Sequence, residues 1–180
     1  MKVLSIKEPH ASLLLTPYKN IETRSWKTNY RGPLLLHASK TMPSAKGHPE
    51  IITLIDVYRN WAKETGRRTY FLSGFIYARA ELVDCVQMTE ENIQQLMMDN
   101  PSEVACGYYS PGRWMWKLKN IQPLDSLIHI NGQLGLWDYY GYDEHENDDD
   151  DYRRTPSSTA GDYGPSNPWD APGMSISDFI

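Results

Sequence analysis

Residues 19–38 run Lys19-Asn20-Ile21-Glu22-Thr23-Arg24-Ser25-Trp26-Lys27-Thr28-Asn29-Tyr30-Arg31-Gly32-Pro33-Leu34-Leu35-Leu36-His37-Ala38, and the reading of this stretch sets the frame for the whole chain. After Asn20 the even positions are Glu22, Arg24 and Trp26, which share one face if the segment is a strand, because successive side chains alternate sides. Arg31-Gly32-Pro33 marks a turn, and Leu34 to Ala38 is an apolar run of strand length that can be buried on both faces.

Toward the amino terminus, Pro9 to Leu15 reads as one short helix, with proline suited to its first turn and Pro17 as its stop. Toward the carboxyl terminus, Ile51, Ile52, Leu54, Ile55, Tyr58, Trp61 and Ala62 recur at helical spacing between Glu50 and Lys63, ahead of Gly66; this stripe is core packing. Phe71 to Val86 reads as a long strand. Thr89 offers an N-cap, with Asn92 three residues on, for a helix through Met98. Trp114 to Leu118 alternates as a strand does, and Ile128–Ile130 and Leu134–Trp137 flank a turn at Gly132. Short strands with interspersed helices predict an α+β fold built on a small β-barrel with flanking helices, rather than a doubly wound sheet.

The chain has 180 residues, 40% of them hydrophobic, which suits one sizeable core. No apolar run approaches the roughly 18 residues needed to span a bilayer, and Lys2, Lys7 and Glu8 break the amino terminus before a signal core can form, so a cytoplasmic protein without membrane attachment is expected. Cys85 and Cys106 lack the spacing of a disulfide framework or zinc site and read as buried thiols. His10, His37, His48, His129 and His145 show no ligand spacing, so neither metal nor cofactor is expected; His37, within an apolar strand, reads as a satisfied core histidine.

The formal charge of −5 is unevenly spread. Up to Trp137 there are 16 Lys and Arg against 12 Asp and Glu, whereas residues 138–180 hold 2 against 11. A mildly basic body predicts polyanion contact. The acidic run Asp148 to Asp151 and the Gly, Pro and Ser residues after it predict disorder, because so little apolar surface cannot offset the entropy of ordering. The expected division is a domain over 1–139 and an acidic disordered tail over 140–180. Trp169, Asp178, Phe179 and Ile180 restore apolar character at the end of that tail. The layout is similar to the terminal tips of bacterial single-stranded-DNA-binding proteins, and suggests an adaptor role in which the tip recruits a replication or repair protein.

Four ordered blocks carry a family likeness: Ser5 to Leu14; Lys19-x-x-Glu22-x-Arg24-Ser25-Trp26 with Tyr30 to Ser39; Gly74 with Glu81 to Cys85; and Trp114 to Leu118 with Ile121, Pro123-Leu124 and Gly132 to Trp137. Together they resemble the ASCH domain family, of the PUA-like superfamily. The resemblance implies a PUA-like barrel and a cleft beside the Lys-x-x-Glu-x-Arg segment that holds RNA, single-stranded DNA or a modified nucleoside. Two positions depart from the pattern: His10 stands where relatives often have Trp, and Pro17 where they often have Gly.

In that cleft Arg24 would offer a planar fork of donors, Lys19 a point charge and Trp26 a face for base stacking, with Arg31, Lys27 and Lys40 extending the basic rim. The competing reading is that Glu22 and Arg24 satisfy each other while Trp26 fills core. Some members of the family resembled here are acetylcytidine amidohydrolases or ribonucleases, which makes Lys19 and Glu22 the candidate catalytic pair of an alternative hydrolase function. The amidohydrolase pattern has threonine where this chain has Glu22.

Overall fold

In the computed structural model, residues 1–41, 49–67 and 71–141 are described. The elements run β1 (Lys2–Ile6), α1 (His10–Leu13), β2 (Ile21–Arg24), β3 (Gly32–Ala38), α2 (Glu50–Glu64), β4 (Phe75–Gln87), α3 (Glu90–Asp99), α4 (Pro101–Ala105), β5 (Trp114–His129) and β6 (Leu136–Asp138). The six strands form one sheet in the order β2-β5-β4-β3-β1-β6, with β1 and β3 parallel and the other neighbours antiparallel. The expected α+β barrel is realised as a curled sheet whose two outer strands, β2 and β6, are not paired with each other.

Strand β3 shows why Leu34, Leu35 and Leu36 do not alternate with polar residues. Leu34 and Leu36 pack with Leu4, Ile6, Tyr77, Leu82 and Trp116 on one face, while Leu35 packs with Val3, Ile76, Leu124 and Trp137 on the other. A strand covered on both sides reads as a continuous apolar run. The long pair β4–β5 changes register near Ile76, Arg79 and Leu82, and such irregularities bend strands and let a sheet curl. Helix α2 lays Ile51, Leu54, Tyr58 and Trp61 against Leu13 of α1, as its spacing predicts; Ile52, counted in the same stripe, is 54% exposed because it lies off that face. Glu8 is fully buried before α1, accepting from the Ser12 N–H, the Ser12 hydroxyl and the Leu72 N–H, each at 3.0 Å. Both cysteines are buried and free.

Several boundaries differ from expectation for local physical reasons. Arg31-Gly32-Pro33 is no separate turn: Gly32, at φ +126°, opens β3 in a conformation glycine adopts without Cβ strain. Strand β4 starts at Phe75 rather than Phe71, since the Leu72 N–H is taken by Glu8 instead of a neighbouring strand. Ile128–Ile130 and Leu134–Trp137 flank the Gly132 loop without pairing with each other. The first lies at the end of the 16-residue β5 and the second feeds β6, which pairs with β1 through Lys2–Asp138, Val3–Trp137 and Leu4–Leu136. The acidic run and the terminal residues Trp169, Asp178, Phe179 and Ile180 lie outside the described residues. No helix among the described residues is long and apolar enough to cross a membrane.

Candidate nucleic-acid interface

Strand β6 pairs with β1 only as far as Leu4, so Ser5 and Ile6 have no strand on that flank. The gap is crossed instead by a side chain: Arg24, the last residue of β2, donates from Nη2 to the Ser5 carbonyl at 2.6 Å. Here the margins of the curled sheet face each other around a cavity of about 510 Å³, a volume in the range of small-molecule sites. Its walls are Glu22, Thr23 and Arg24 from β2, Ser5 to Lys7 from β1, His10 from α1, Ser39 to Thr41 after β3, Tyr108 and Arg113 before β5, and the 131–135 loop.

The walls carry four cationic side chains, Lys7, Arg24, Lys40 and Arg113, against one carboxylate, Glu22. The Lys7 carbonyl accepts from the Ala11 N–H at 3.1 Å, while its exposed ammonium makes no hydrogen bond or ion pair among the described residues. Lys40 donates to Asn131 Oδ1 at 2.8 Å, tying the end of β3 to the 131–135 loop. Arg113 donates from Nη2 to the Thr23 carbonyl at 3.2 Å and lies 5.1 Å above the Tyr108 ring, a cation–π contact that holds an aromatic face at the rim. Tyr108 itself is 65% exposed, unusual for a ring of that size. Arg24 Nε sits 3.2 Å from Glu22 Oε1 without hydrogen-bond alignment, so the pair is a charge contact. Burial lowers the pKa of the His10 imidazole, the nearby Glu22 charge working against that shift.

Behind β2 lies a second constellation, centred on Glu103 of α4, whose carboxylate is wholly buried. It accepts from Tyr109 Oη at 2.6 Å and Lys19 Nζ at 3.3 Å through Oε1, and from the N–H groups of Asn20 at 2.6 Å and Ile21 at 3.2 Å through Oε2. Lys19 also donates to the Ile21 carbonyl at 2.5 Å. Burial, with the adjacent Glu103 charge, pushes the Tyr109 phenol far above its ordinary pKa, so it remains a donor. Gly107 makes room: a Cβ there would stand 2.7 Å from the Tyr109 ring and 3.1 Å from Lys19 Nζ. One carboxylate thus fixes the start of β2, immediately before Arg24's partner Glu22, and the segment that carries Tyr108.

A third contact shapes the 131–135 loop. His37 is fully buried in β3 with Nε2 at 3.1 Å from the Ile130 carbonyl, to which it donates, while Nδ1 has no partner, so the histidine is only half satisfied. Gly132 presses against it: a Cβ would lie 2.7 Å from Nδ1 and 2.8 Å from Ser5 Oγ. Glycine is required there by close approach.

Of the residues singled out in the sequence, Glu22, Arg24 and Lys40 meet at the cavity, whereas Lys19, Trp26 and Arg31 do not line it. Lys19 is spent on Glu103. Trp26 lies beyond the end of β2 and packs edge-to-face on Trp116 with ring centroids 4.5 Å apart, its carbonyl accepting from Trp116 Nε1 at 3.2 Å, which is the core-filling alternative. Arg31 donates to the Thr28 and Tyr30 carbonyls and lies 3.5 Å from Asp84. Sequence reasoning missed Lys7, Tyr108 and Arg113. Lys7 lies within the Ser5–Leu14 segment and Arg113 follows Pro111-Gly112, but nothing local says that they meet. Among the described residues no group of three or more His, Cys, Asp or Glu is arranged to hold a metal ion.

A family model described as the ASCH domain matches residues 4–128. Activating signal cointegrator 1 of Homo sapiens is 30% identical over 140 residues, which cover 74% of this chain and 24% of that protein. The Mus musculus protein of the same name is 28% identical over 140 residues, with the same shares covered. The chain therefore spans about a quarter of the length of these curated relatives.

Proposed function

Because the chain belongs to the ASCH domain family, we propose that it binds nucleic acid or nucleotides, single-stranded RNA or DNA above all, in the cavity between β1 and β2. The observation that carries this reading is the wall composition: Lys7, Arg24, Lys40 and Arg113 surround a nucleotide-sized hollow with the exposed Tyr108 ring at its rim. Cations fix phosphates, and an aromatic face stacks any base. Tyr108 takes the stacking role first assigned to Trp26.

Binding is better supported than hydrolysis. A lysine acting as base or nucleophile must reach the substrate. The Lys19 side chain is 1% exposed and already engaged by Glu103 and a carbonyl, away from the cavity walls. The adaptor reading depends on residues 142–180 and draws no support from the fold.

The test is the salt dependence of affinity for a single-stranded oligonucleotide, measured by fluorescence anisotropy. Lys7→Ala and Lys40→Ala are each expected to weaken binding and to flatten the log–log salt slope by about 0.7, the counterion release for one lost single-strand phosphate contact. An unchanged slope in both variants overturns the assignment of this cavity.

A further inference from the structure

Phosphate binding accounts for the four cations but not for Glu22, the one carboxylate in the wall. Its Oε1 lies beside Arg24, whereas Oε2 makes no hydrogen bond among the described residues. The residue is 8% exposed and lines the cavity, so most of it is withdrawn from solvent while its carboxylate borders the hollow. A free, partly desolvated carboxylate oxygen repels phosphate and demands an N–H or O–H donor. It divides the cavity: phosphate is directed to Lys7, Lys40 and Arg113, and the corner beside Glu22 takes a neutral, donor-bearing part of the ligand.

Resting on the nucleotide reading, we propose that Glu22 is a specificity-determining residue that selects bases with an exocyclic amino group over uracil and thymine. Cytosine, adenine and guanine each bring an N–H₂ donor to their hydrogen-bonding edge, and carboxylate to cytosine N4 is an established pairing. Arg24 lines the same wall: its Nε is buried against Glu22 and its Nη2 donates to Ser5, which leaves Nη1 as the donor for a ring nitrogen or carbonyl that adjoins the amino group. Uracil presents O4 where cytosine presents its amino group. Its single ring donor, N3–H, is flanked by two carbonyl oxygens that would face the carboxylate.

Short cytidine and uridine oligoribonucleotides of equal length separate this from the phosphate contribution, because they share ring size and charge. By anisotropy at one salt concentration, wild type is expected to hold the cytidine oligomer about tenfold more tightly, the scale of one discriminating base contact. Glu22→Gln supplies both a donor and an acceptor, and is expected to bring the two affinities within about threefold by tightening uridine. Equal binding of both oligomers by wild type, or an unchanged ratio in Glu22→Gln, overturns the selectivity and leaves the nucleotide reading standing. Failure of wild type to bind either oligomer removes both. The wild-type comparison does not depend on the variant folding, and circular dichroism of Glu22→Gln guards the second arm.

Discussion

The residue that organises the site without facing it is Glu103. Its carboxylate receives Tyr109, Lys19 and two backbone N–H groups, so its removal strands a buried ammonium and two amides at once. Breaking a buried charge pair from one side costs about 3–5 kcal/mol. Glu103→Ala is therefore expected to lower the stability read from urea unfolding by about that amount, whereas Tyr109→Phe, which deletes one hydrogen bond and leaves the ion pair, should cost about 1–2 kcal/mol. Similar losses in the two variants would mean that the ion pair contributes nothing beyond the phenol. None of this was visible along the chain: Lys19 and Glu103 are 84 positions apart, and a lysine in a charged motif reads as a surface cation until its partner is seen.

At the scale of elements, legibility followed how local the determining physics is. The α3 cap is local and was read correctly: Thr89 Oγ1 accepts from the Asn92 N–H at 3.2 Å and Asn92 Oδ1 accepts from the Thr89 N–H at 2.9 Å. Since α3 buries no residue, caps and local propensity carry much of its stability, and Thr89→Ala should cost about 1 kcal/mol, seen as faster amide exchange confined to residues 90–99. Equal exchange in wild type and variant would show that packing, rather than the cap, holds it. Strand β3 was likewise legible, because burial on both faces leaves an unmistakable apolar run. Strands β1 and β6 were not read as a pair, since each is short and their register joins the two ends of the domain. The turn expected at Gly132 is the loop between β5 and β6, shaped by close approach to His37, and β6 pairs with β1 rather than with β5.

At the scale of the whole molecule, the cavity collects side chains from residue 5 to residue 135, so only its β2 wall could be anticipated from one motif. The assembled charges also couple to protons. His10 is held neutral by burial, its pKa below the ordinary imidazole value. A group depressed in this way favours the fold at pH above its unfolded value of about 6.5 and withdraws that support as pH falls through the folded value. A bound phosphate favours the imidazolium, so anion affinity should move the opposite way, rising as pH drops from 7.5 to 5.5. Anisotropy titrations across that range are expected to show the rise in wild type and a flatter profile in His10→Gln; parallel profiles would exclude His10 from the field of the ligand.

The join between β1 and β2 is a guanidinium, not a ladder of backbone hydrogen bonds, and that decides how a polymer gets in. A hollow walled all round can be reached only by feeding an end through it. On the proposed nucleic-acid reading, a ring split along its length would admit a long strand sideways, so a nucleotide far from either terminus could reach the cavity once the single Arg24 contact to Ser5 gives way.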